Sequence, residues 1–325
     1  MKIVIPGGSG QLGNILAHYF HARGCDVVVL SRQPRFYAPW RSAYWDGRTL
    51  GDWVQEFDGA DAVVNLAGRS VNCRYHTRNR REITDSRIMS TQIIGRAIGA
   101  CACPPRAWLQ SSTATIYEHR YDAPNDEATG ILGGNEPDAP DTWRFSIDVA
   151  TAWERALDQA DVPQTRKVKL RTAMVMNPDR GGTFDTFLNL VRRGLGGRMG
   201  DGRQYMSWIH HHDFSRALEW LLAHPEIDGA VNLAAPVPLP NAEFMHELRA
   251  AYGTRIGLPA TEWMLSLGTW LLRSESELVL KSRRVTPRRL LEAGFEFEFP
   301  TWPAAARDLC HARREPAGVG CSAST

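Results

Sequence analysis

The segment Lys2-Ile3-Val4-Ile5-Pro6-Gly7-Gly8-Ser9-Gly10-Gln11-Leu12-Gly13, residues 2–13, stands near the start of a 325-residue sequence. Its first four residues form an apolar run typical of a buried strand, and a glycine-rich stretch follows at once. Apolar residues then recur at helical spacing, at Leu12, Ile15, Leu16, Tyr19 and Phe20. The segment therefore predicts a strand, a tight turn and a helix in that order.

Three glycines of this turn have separate roles in a dinucleotide-binding unit. Gly7 permits the tight turn, Gly10 lets the backbone approach a pyrophosphate, and Gly13 lets the helix pack closely on the strand. The free N–H groups at the helix start favour phosphate at the same place. Against the alternative of an ordinary glycine turn, we predict that a dinucleotide binds here, through Gly7, Gly8, Ser9, Gly10, Gln11, Leu12 and Gly13.

Composition argues against a strongly charged partner. The chain is 43% hydrophobic, enough for a large core, and its net charge is only +2. Its six cysteines have no metal-ligand spacing, which indicates reduced thiols and no metal site. The N-terminus has the pattern of a core strand, and no apolar run reaches transmembrane length. We expect a cytoplasmic monomer or homodimer that binds neither nucleic acid nor membrane.

Strands and helices alternate through the first half of the chain. The apolar runs predict strands, and the spacing of apolar residues predicts helices over 79–100 and around 149–160, with a loop over 121–142. Repeated β-α units imply an α/β fold, a Rossmann-like doubly wound parallel sheet, over residues 1–177. The strands predicted after the first one are Asp26–Leu30, Ala62–Leu66, Ala107–Ser111 and Val168–Val175.

Beyond Pro178 the pattern changes, because glycine clusters interrupt it. Residues 178–312 are expected to form a smaller mixed α/β substrate lobe, and 313–325 a disordered tail. Asp213 is a plausible N-cap of one helix, and Asn241 of another that ends before Gly253. The apolar segment Trp263–Leu272 predicts a packing helix or an oligomer contact.

Several short motifs together resemble a known family. They are the glycine turn, Asn65-Leu66-Ala67-Gly68, Asp85-Ser86-Arg87, Ser111-Ser112-Thr113-Ala114-Thr115-Ile116-Tyr117, Trp153-Glu154, Leu170-Arg171-Thr172, Met206-Ser207-Trp208-Ile209-His210 and Asn232-Leu233. The chain resembles the extended short-chain dehydrogenase/reductases of the NAD-dependent epimerase/dehydratase type. Within them it is similar to an atypical, sugar-nucleotide-epimerase-like subgroup. The segment 282–295 is similar to that subgroup's small C-terminal domain of unknown function, placed at about 262–310.

The end of the second strand indicates which cofactor is preferred. NAD-binding versions have an acidic residue there for the ribose 2′-hydroxyl, whereas this chain has Ser31-Arg32. Because arginine binds a phosphate bidentately, we predict NADP rather than NAD, against the alternative of a solvated arginine. Arg35 is a possible second ligand. Asp46 either reaches the adenine or only shapes a turn, and the resemblance adds further cofactor contacts at Asn65, Leu66, Ala67, Gly68, Ser111 and Thr172.

The catalytic residues of the resembled family are only partly present. The family uses a Ser or Thr, a Tyr and a Lys four residues later; Thr113 matches the first, but Phe145 and Val149 occupy the other two places. No Tyr-x-x-x-Lys occurs in the chain, so the usual mechanism does not carry over. Tyr117 and His119 follow Thr113 and are candidate proton donors, against structural or surface roles for each.

The resemblance also suggests substrate contacts at Arg203, Trp208 and His210. The adjacent histidines 210–212 are not expected to hold a metal, since neighbours in a strand face opposite ways. We predict an oxidoreductase or epimerase-like enzyme for an unidentified small carbonyl or hydroxyl substrate. The alternatives are an inactive NADP-binding sensor or assembly protein, and an enzyme that uses its cofactor only transiently.

Overall fold

The computed structural model describes residues 1–137, 139–260 and 281–314. The strands are β1 Lys2–Pro6, β2 Asp26–Ser31, β3 Arg41–Tyr44, β4 Ala62–Asn65, β5 Ala107–Thr113, β6 Arg166–Thr172, β7 Met174–Met176, β8 Tyr205–Met206, β9 Trp208–His210, β10 Gly229–Leu233 and β11 Leu239–Pro240. The helices are α1 Gln11–Ala22, α2 Thr77–Gly99, α3 Asp141–Asp158, α4 Thr183–Arg192, α5 His211–Ala223 and α6 Asn241–Tyr252, followed by helices Arg288–Glu292 and Trp302–Arg314.

Within the described residues, seven strands form one sheet in the order β10-β6-β5-β4-β1-β2-β3. All six pairings are parallel. Four central strands are apolar on both faces, because helices cover the sheet from both sides. Helices α1 and α5 pack on one face, and α2 and α3 on the other. The predicted Rossmann-like doubly wound sheet is therefore confirmed.

The part of the chain after residue 178 forms an additional hydrophobic core, separate from the two that lie on the faces of the sheet. It also contributes a strand and a helix to the sheet layers. Phe184, Phe244 and Trp302 pack together in the additional core, where the Phe244 and Trp302 rings stack 4.0 Å apart. However, β10 pairs with β6, and α5 packs against α1. The division at residues 177 and 178 stays a prediction, and the large sheet takes one of its strands from beyond it.

Three local predictions need correction. The run 168–175 is broken at Ala173, because Met174–Met176 leaves the sheet and pairs with β9. His210, rather than Asp213, caps α5, and its side chain accepts a hydrogen bond from the His212 amide. Asn241 is the first residue of α6, and Pro240 holds the cap position. The predicted end of that helix is confirmed, since Gly253 follows it with φ 92°.

The C-terminal predictions fall partly outside the described residues. The final helix continues to Arg314, so the predicted tail boundary at residue 313 lies within a helix. Residues 315–325 and the segment Trp263–Leu272 lie outside the described residues. In the described ranges, no helix combines the length and the apolar character needed to cross a bilayer.

Candidate functional site

Two adjoining cavities lie at the carboxyl ends of the parallel strands. The distal cavity has a volume of about 570 Å³ and is lined by Ser31, Arg32 and Asp46. The central cavity has a volume of about 530 Å³ and extends to Thr113 and Thr172. The two cavities share a boundary, formed by Gly7, Gly10, Leu66, Gly68 and Arg69. Together they form a single cleft across the carboxyl edge of the sheet, where ligands bind in open α/β folds.

The glycine turn has the geometry of a phosphate cradle. Gly7 has φ 75°, and a Cβ there would lie 2.7 Å from the Ala67 backbone. A Cβ on Gly13 would lie 2.3 Å from the Cα of Gly8, so α1 packs directly on the turn. A Cβ on Gly10 would have only the Gly7 carbonyl oxygen of the described residues near it, at 3.7 Å. Because Gly10 also lines both cavities, its backbone is open to a ligand there.

The distal cavity carries two guanidinium groups that are available to an anion. Ser31 Oγ donates to Ser9 Oγ at 2.9 Å and accepts from the Gln33 amide, which fixes the end of β2. Arg32 follows, is exposed, and makes no hydrogen bond or ion pair within the described residues. Arg48, which sequence reasoning missed, lines the same cavity. The distal cavity therefore fits a ligand with a phosphate.

Asp46 serves the turn that carries Arg48. Its carboxylate accepts hydrogen bonds from the Arg48 and Thr49 amides, at 2.8 and 2.9 Å, and from the Thr49 hydroxyl. Burial alone would raise the pKa of Asp46, but these hydrogen bonds outweigh it and lower the pKa. Asp46 also lines the distal cavity, so the turn role and the adenine role predicted from sequence are compatible.

The segment after β4 forms the wall between the two cavities. Leu66, Ala67 and Gly68 line the distal cavity, and Leu66 and Gly68 also line the central one. The fully buried Asn65 holds this turn, because its Oδ1 accepts from the Ala67 amide at 3.0 Å. Its Nδ2 donates to Gln110 Oε1 at 3.0 Å. Asn65 is therefore a shaping residue rather than a ligand contact.

The central cavity brings together the ends of β5 and β6 and one face of α3. Ser111, Thr113 and Thr172 lie along it, as do Phe145 and Val149. Thr113 Oγ1 accepts from the Thr115 amide at 3.1 Å, which leaves its O–H to donate to a bound oxygen. Phe145 and Val149, the two side chains predicted to replace the usual Tyr and Lys, thus line the cavity, and neither can exchange a proton.

Tyr117 belongs to a buried network under the cleft and is only 2% exposed. Its hydroxyl donates to Asn232 Oδ1 and accepts from Arg171 Nη1, both at 2.9 Å. Arg171 also forms a two-point ion pair with Glu154, at 2.9 and 2.8 Å. Burial raises the pKa of Tyr117, although Arg171 opposes this shift. Tyr117 is not among the residues that line the cleft, so this placement favours a structural role for it.

His119 is also held by neighbouring segments. Its Nδ1 accepts from the Ser282 amide at 2.7 Å, and its ring contacts Tyr121 and Trp143. Burial and the nearby Lys281 ammonium lower the pKa of His119, so the ring is neutral at physiological pH. Its role as a proton donor is not favoured by this placement, since the histidine fixes the C-terminal segment to the sheet.

The three predicted substrate residues lie away from the two cavities. Trp208 is fully buried in the additional core, 5.0 Å from the Trp302 ring. His210 is 1% exposed, and burial lowers its pKa to about 2. Arg203 is exposed and lies 5.7 Å from the Tyr121 ring centroid. The motif that contains Trp208 and His210 is therefore explained by packing and helix capping.

Among the residues that line the central cavity, sequence reasoning assigned no site role to Tyr75, Arg87 or Arg283. Arg87 lies in the middle of α2, on the face that carries the buried Ile83 and Ser90. A cation at a core-facing helical position is a signal that the sequence already contained. Arg283 comes from the C-terminal segment, and its Nε donates to Thr115 Oγ1 at 3.1 Å.

Comparison with known proteins then identifies the family. Residues 3–234 match the model of the NAD dependent epimerase/dehydratase family. The chain belongs to that family. Residues 260–309 match a domain of unknown function, DUF1731, which confirms the resemblance of the C-terminal region.

The family's relatives match almost end to end. The human epimerase family protein SDR39U1 is 31% identical over 316 residues, covering 95% of this chain and 99% of its own length. The Mycobacterium tuberculosis epimerase family protein MT2273 is 32% identical and covers 92% of this chain and 94% of its own.

Solved structures of the family have the same fold. The crystal structure of human SDR39U1, determined with NADPH, has a TM-score of 0.82 at 30% identity and covers 96% of this chain and 99% of its own. A nucleoside-diphosphate sugar epimerase from Corynebacterium glutamicum has a TM-score of 0.74 at 25% identity, covering 96% of this chain and 58% of its own.

Proposed function

We propose that this protein binds NADP(H) along the cleft and acts as an oxidoreductase or epimerase-like enzyme on a small carbonyl or hydroxyl substrate. The observation that carries the proposal is the open backbone at Gly10, between a cavity lined by Arg32 and Arg48 and a cavity lined by Thr113. The NADPH in the human relative's crystal structure supports the choice of cofactor. On the composition arguments above, we also propose a cytoplasmic location.

Each part of the cofactor has matching residues in the cleft. The turn from Gly7 to Gly13 suits the pyrophosphate, and Arg32 with Arg48 suits the ribose 2′-phosphate. The nicotinamide end belongs beside Thr113 and Thr172. A bound nicotinamide cofactor supplies hydride transfer, while the protein contributes position and polarity.

The cofactor assignment is tested by titrating NADPH and NADH into the Arg32→Ala variant. A charge-assisted hydrogen bond contributes roughly 1.5–3 kcal/mol, so NADPH affinity should fall about tenfold to a hundredfold while NADH affinity is retained. Arg35→Ala is the matched control, because Arg35 is close in sequence but is not among the residues lining the cavity. An unchanged preference for NADPH in Arg32→Ala would show that the assignment is wrong.

Thr113 is the residue we assign to the reacting oxygen. Because its Oγ1 already accepts from the Thr115 amide, its hydroxyl proton is directed toward a substrate carbonyl or alcohol oxygen. With a panel of small carbonyl compounds and NADPH, Thr113→Ala should lower any turnover found by about 10²-fold or more, whereas Thr113→Ser should retain most of it. Equal turnover in Thr113→Ala and wild type would contradict the placement of the active site.

The same panel distinguishes the enzyme from a cofactor-holding sensor. A sensor would bind NADPH without substrate-dependent oxidation, whereas an enzyme with transient cofactor use would epimerise a substrate at constant NADPH. Similarity to epimerase family proteins over nearly the whole chain favours the enzyme.

A further inference from the structure

A tyrosine lines the central cavity beside Phe145, the residue predicted to stand at the family's usual Tyr position. Tyr75 lies in the loop before α2, is 7% exposed and lines the cavity. Its ring makes an edge contact with the Phe145 ring, with 5.0 Å between centroids. Ile83 and Val149 complete an apolar cluster around it. The loop between β4 and α2 thus brings a phenol to the part of the cavity where α3 presents only Phe145 and Val149.

A cation without a carboxylate partner in the described residues lines the same cavity as this tyrosine. Arg87 Nη1 donates to the carbonyl oxygens of Arg69 and Ile83, at 3.1 and 3.0 Å, and its guanidinium carbon lies 5.0 Å from the Trp153 ring centroid. Within residues 1–137, 139–260 and 281–314, no acidic side chain pairs with it. Burial lowers the pKa of Arg87 to about 10, and the neighbouring Tyr75 and Cys73 oppose that shift.

An unpaired, partly desolvated cation stabilises an anion nearby. A phenol close to such a charge loses its proton more readily, typically by about 1–3 pH units. This is the electrostatic help that a tyrosine needs to exchange protons near neutral pH, since an isolated phenol ionises near pH 10.

We propose that Tyr75 is the proton-transferring residue of this site and that Arg87 is the positioning residue that stabilises its phenolate. The inference rests on the proposed function. When a carbonyl is reduced, the Tyr75 Oη–H bond breaks and an O–H bond forms on the substrate oxygen. The hydride added to the carbonyl carbon comes from a reduced nicotinamide cofactor, and solvent returns a proton to Tyr75. In the oxidation direction the same proton moves back.

Other titratable groups line the same cavity or contact the segment that carries Tyr75. Arg69 and Arg283 line the same cavity, and Cys73 lies in the same loop. Arg80 Nε donates to the Tyr75 carbonyl oxygen at 2.7 Å, and its guanidinium lies over the Phe145 ring. Glu82 pairs with Arg69 and Asp141 pairs with Arg80, so the charges of these two arginines are largely compensated, whereas Arg87 has no carboxylate partner among the described residues.

The test is a spectrophotometric titration of tyrosinate in the full chain without cofactor. Subtracting Tyr75→Phe from wild type isolates the ionisation of Tyr75, and subtracting Tyr44→Phe gives an exposed tyrosine as reference. Burial alone would raise the Tyr75 midpoint above that of Tyr44, and the inference requires that the charge of Arg87 outweigh this shift, so that the Tyr75 midpoint lies below that of Tyr44. In Arg87→Gln the Tyr75 midpoint should rise by about 1–3 pH units, and Arg87→Lys should restore most of the difference. Arg78→Gln, on the exposed face of the same helix, is the control and should leave the midpoint unchanged.

The outcomes separate this inference from the proposed function. A Tyr75 midpoint equal to or above that of Tyr44 overturns the inference, as does an Arg87→Gln midpoint equal to wild type. If Arg87→Gln does not fold, the comparison of Tyr75 with Tyr44 in the wild-type chain still decides. Titration of wild type with NADPH tests only the proposed function. The tyrosinate titration uses no cofactor, so it tests only the roles of Tyr75 and Arg87.

Discussion

Replacing Arg171 with methionine should destabilise the fold more than any surface charge change on the same strand. Arg171 connects β6 to α3 through Glu154 and to the buried Tyr117 hydroxyl. In Arg171→Met the Glu154 carboxylate, which is 6% exposed, keeps only Ser112 Oγ as a side-chain partner within the described residues, at 2.7 Å. The substitution therefore leaves a buried negative charge without its cation.

The size of the effect follows from that uncompensated charge. Removing one partner of a buried ion pair costs about 3–5 kcal/mol, far more than the pair contributes relative to apolar residues of similar volume. A chain of 325 residues gains about 0.7 kcal/mol/K of entropy on unfolding. The midpoint of thermal unfolding should therefore fall by about 4–7 °C.

Differential scanning calorimetry measures this change against two further variants. Lys169→Met is the matched control, because Lys169 lies two residues earlier on β6 and pairs with the exposed Asp158 at 2.7 Å. It should cost at most about 1 kcal/mol. The double variant Arg171→Met with Glu154→Leu should recover at least half of the loss. The reasoning is refuted if Arg171→Met costs no more than Lys169→Met, or if the double variant is as unstable as the single one.

Two further predictions concern the turn and the buried histidine. Gly13→Ala should lower the free energy of unfolding by about 2–3 kcal/mol, since its Cβ would lie 2.3 Å from the Gly8 backbone. Gly99→Ala, with its Cβ 3.7 Å from the nearest atom, should cost nothing in the same denaturant titration, and equal losses would contradict the argument. Burial lowers the pKa of His210 to about 2, so its stabilisation is complete above pH 6.5 and is lost as the pH falls below that value. Between pH 7.5 and pH 5 the free energy of unfolding should therefore fall by about 2 kcal/mol. His210→Asn should abolish this pH-dependent loss, whereas His246→Asn, at an exposed histidine, should leave it unchanged.

The central strands of the sheet could be predicted because the amino-acid pattern of each one indicates a buried strand. Strands buried on both faces need continuous apolar runs, and the runs at 26–30, 62–66 and 107–111 match β2, β4 and β5 to within two residues. Strand β3, Arg41–Tyr44, was missed because it lies at the sheet edge and is only partly buried. A short polar edge strand has no apolar pattern to detect.

The break at Ala173 could not be read from the sequence, because it depends on distant partners. The Ala173 amide donates to the Leu233 carbonyl, and the next amide, that of Met174, donates to Ser207. The chain changes neighbouring strands between two consecutive residues, although residues 173–176 are all apolar and mark no boundary there. The residues of this segment do not indicate which strand will lie beside each of them in the folded protein.

The candidate site likewise has one part that the sequence predicts and another part that it does not. The phosphate turn is contiguous, so its glycine spacing alone predicts its shape at Gly7 and Gly13. The central cavity is assembled from segments far apart in the chain, and Tyr75 meets Phe145 only after folding. No spacing rule connects residues that separate loops bring together. The resemblance supplied Thr113, but it could not supply a residue that has no counterpart in the usual motif.

Helix α3 carries both cavity-lining residues and residues of the buried network, so the two predicted replacements of the usual Tyr and Lys need not disturb the fold. Phe145 and Val149 line the cavity and form no part of the hydrogen-bond network beneath it. One turn further along, Glu154 anchors the helix to Arg171, and the Trp153 indole donates to Thr91 at 3.2 Å. Substitutions at the cavity surface therefore alter the chemistry available to a ligand, whereas substitutions in the network alter stability. For this reason we expect the fold to depend on Glu154 and Arg171 and to tolerate Phe145 and Val149 at the cavity surface.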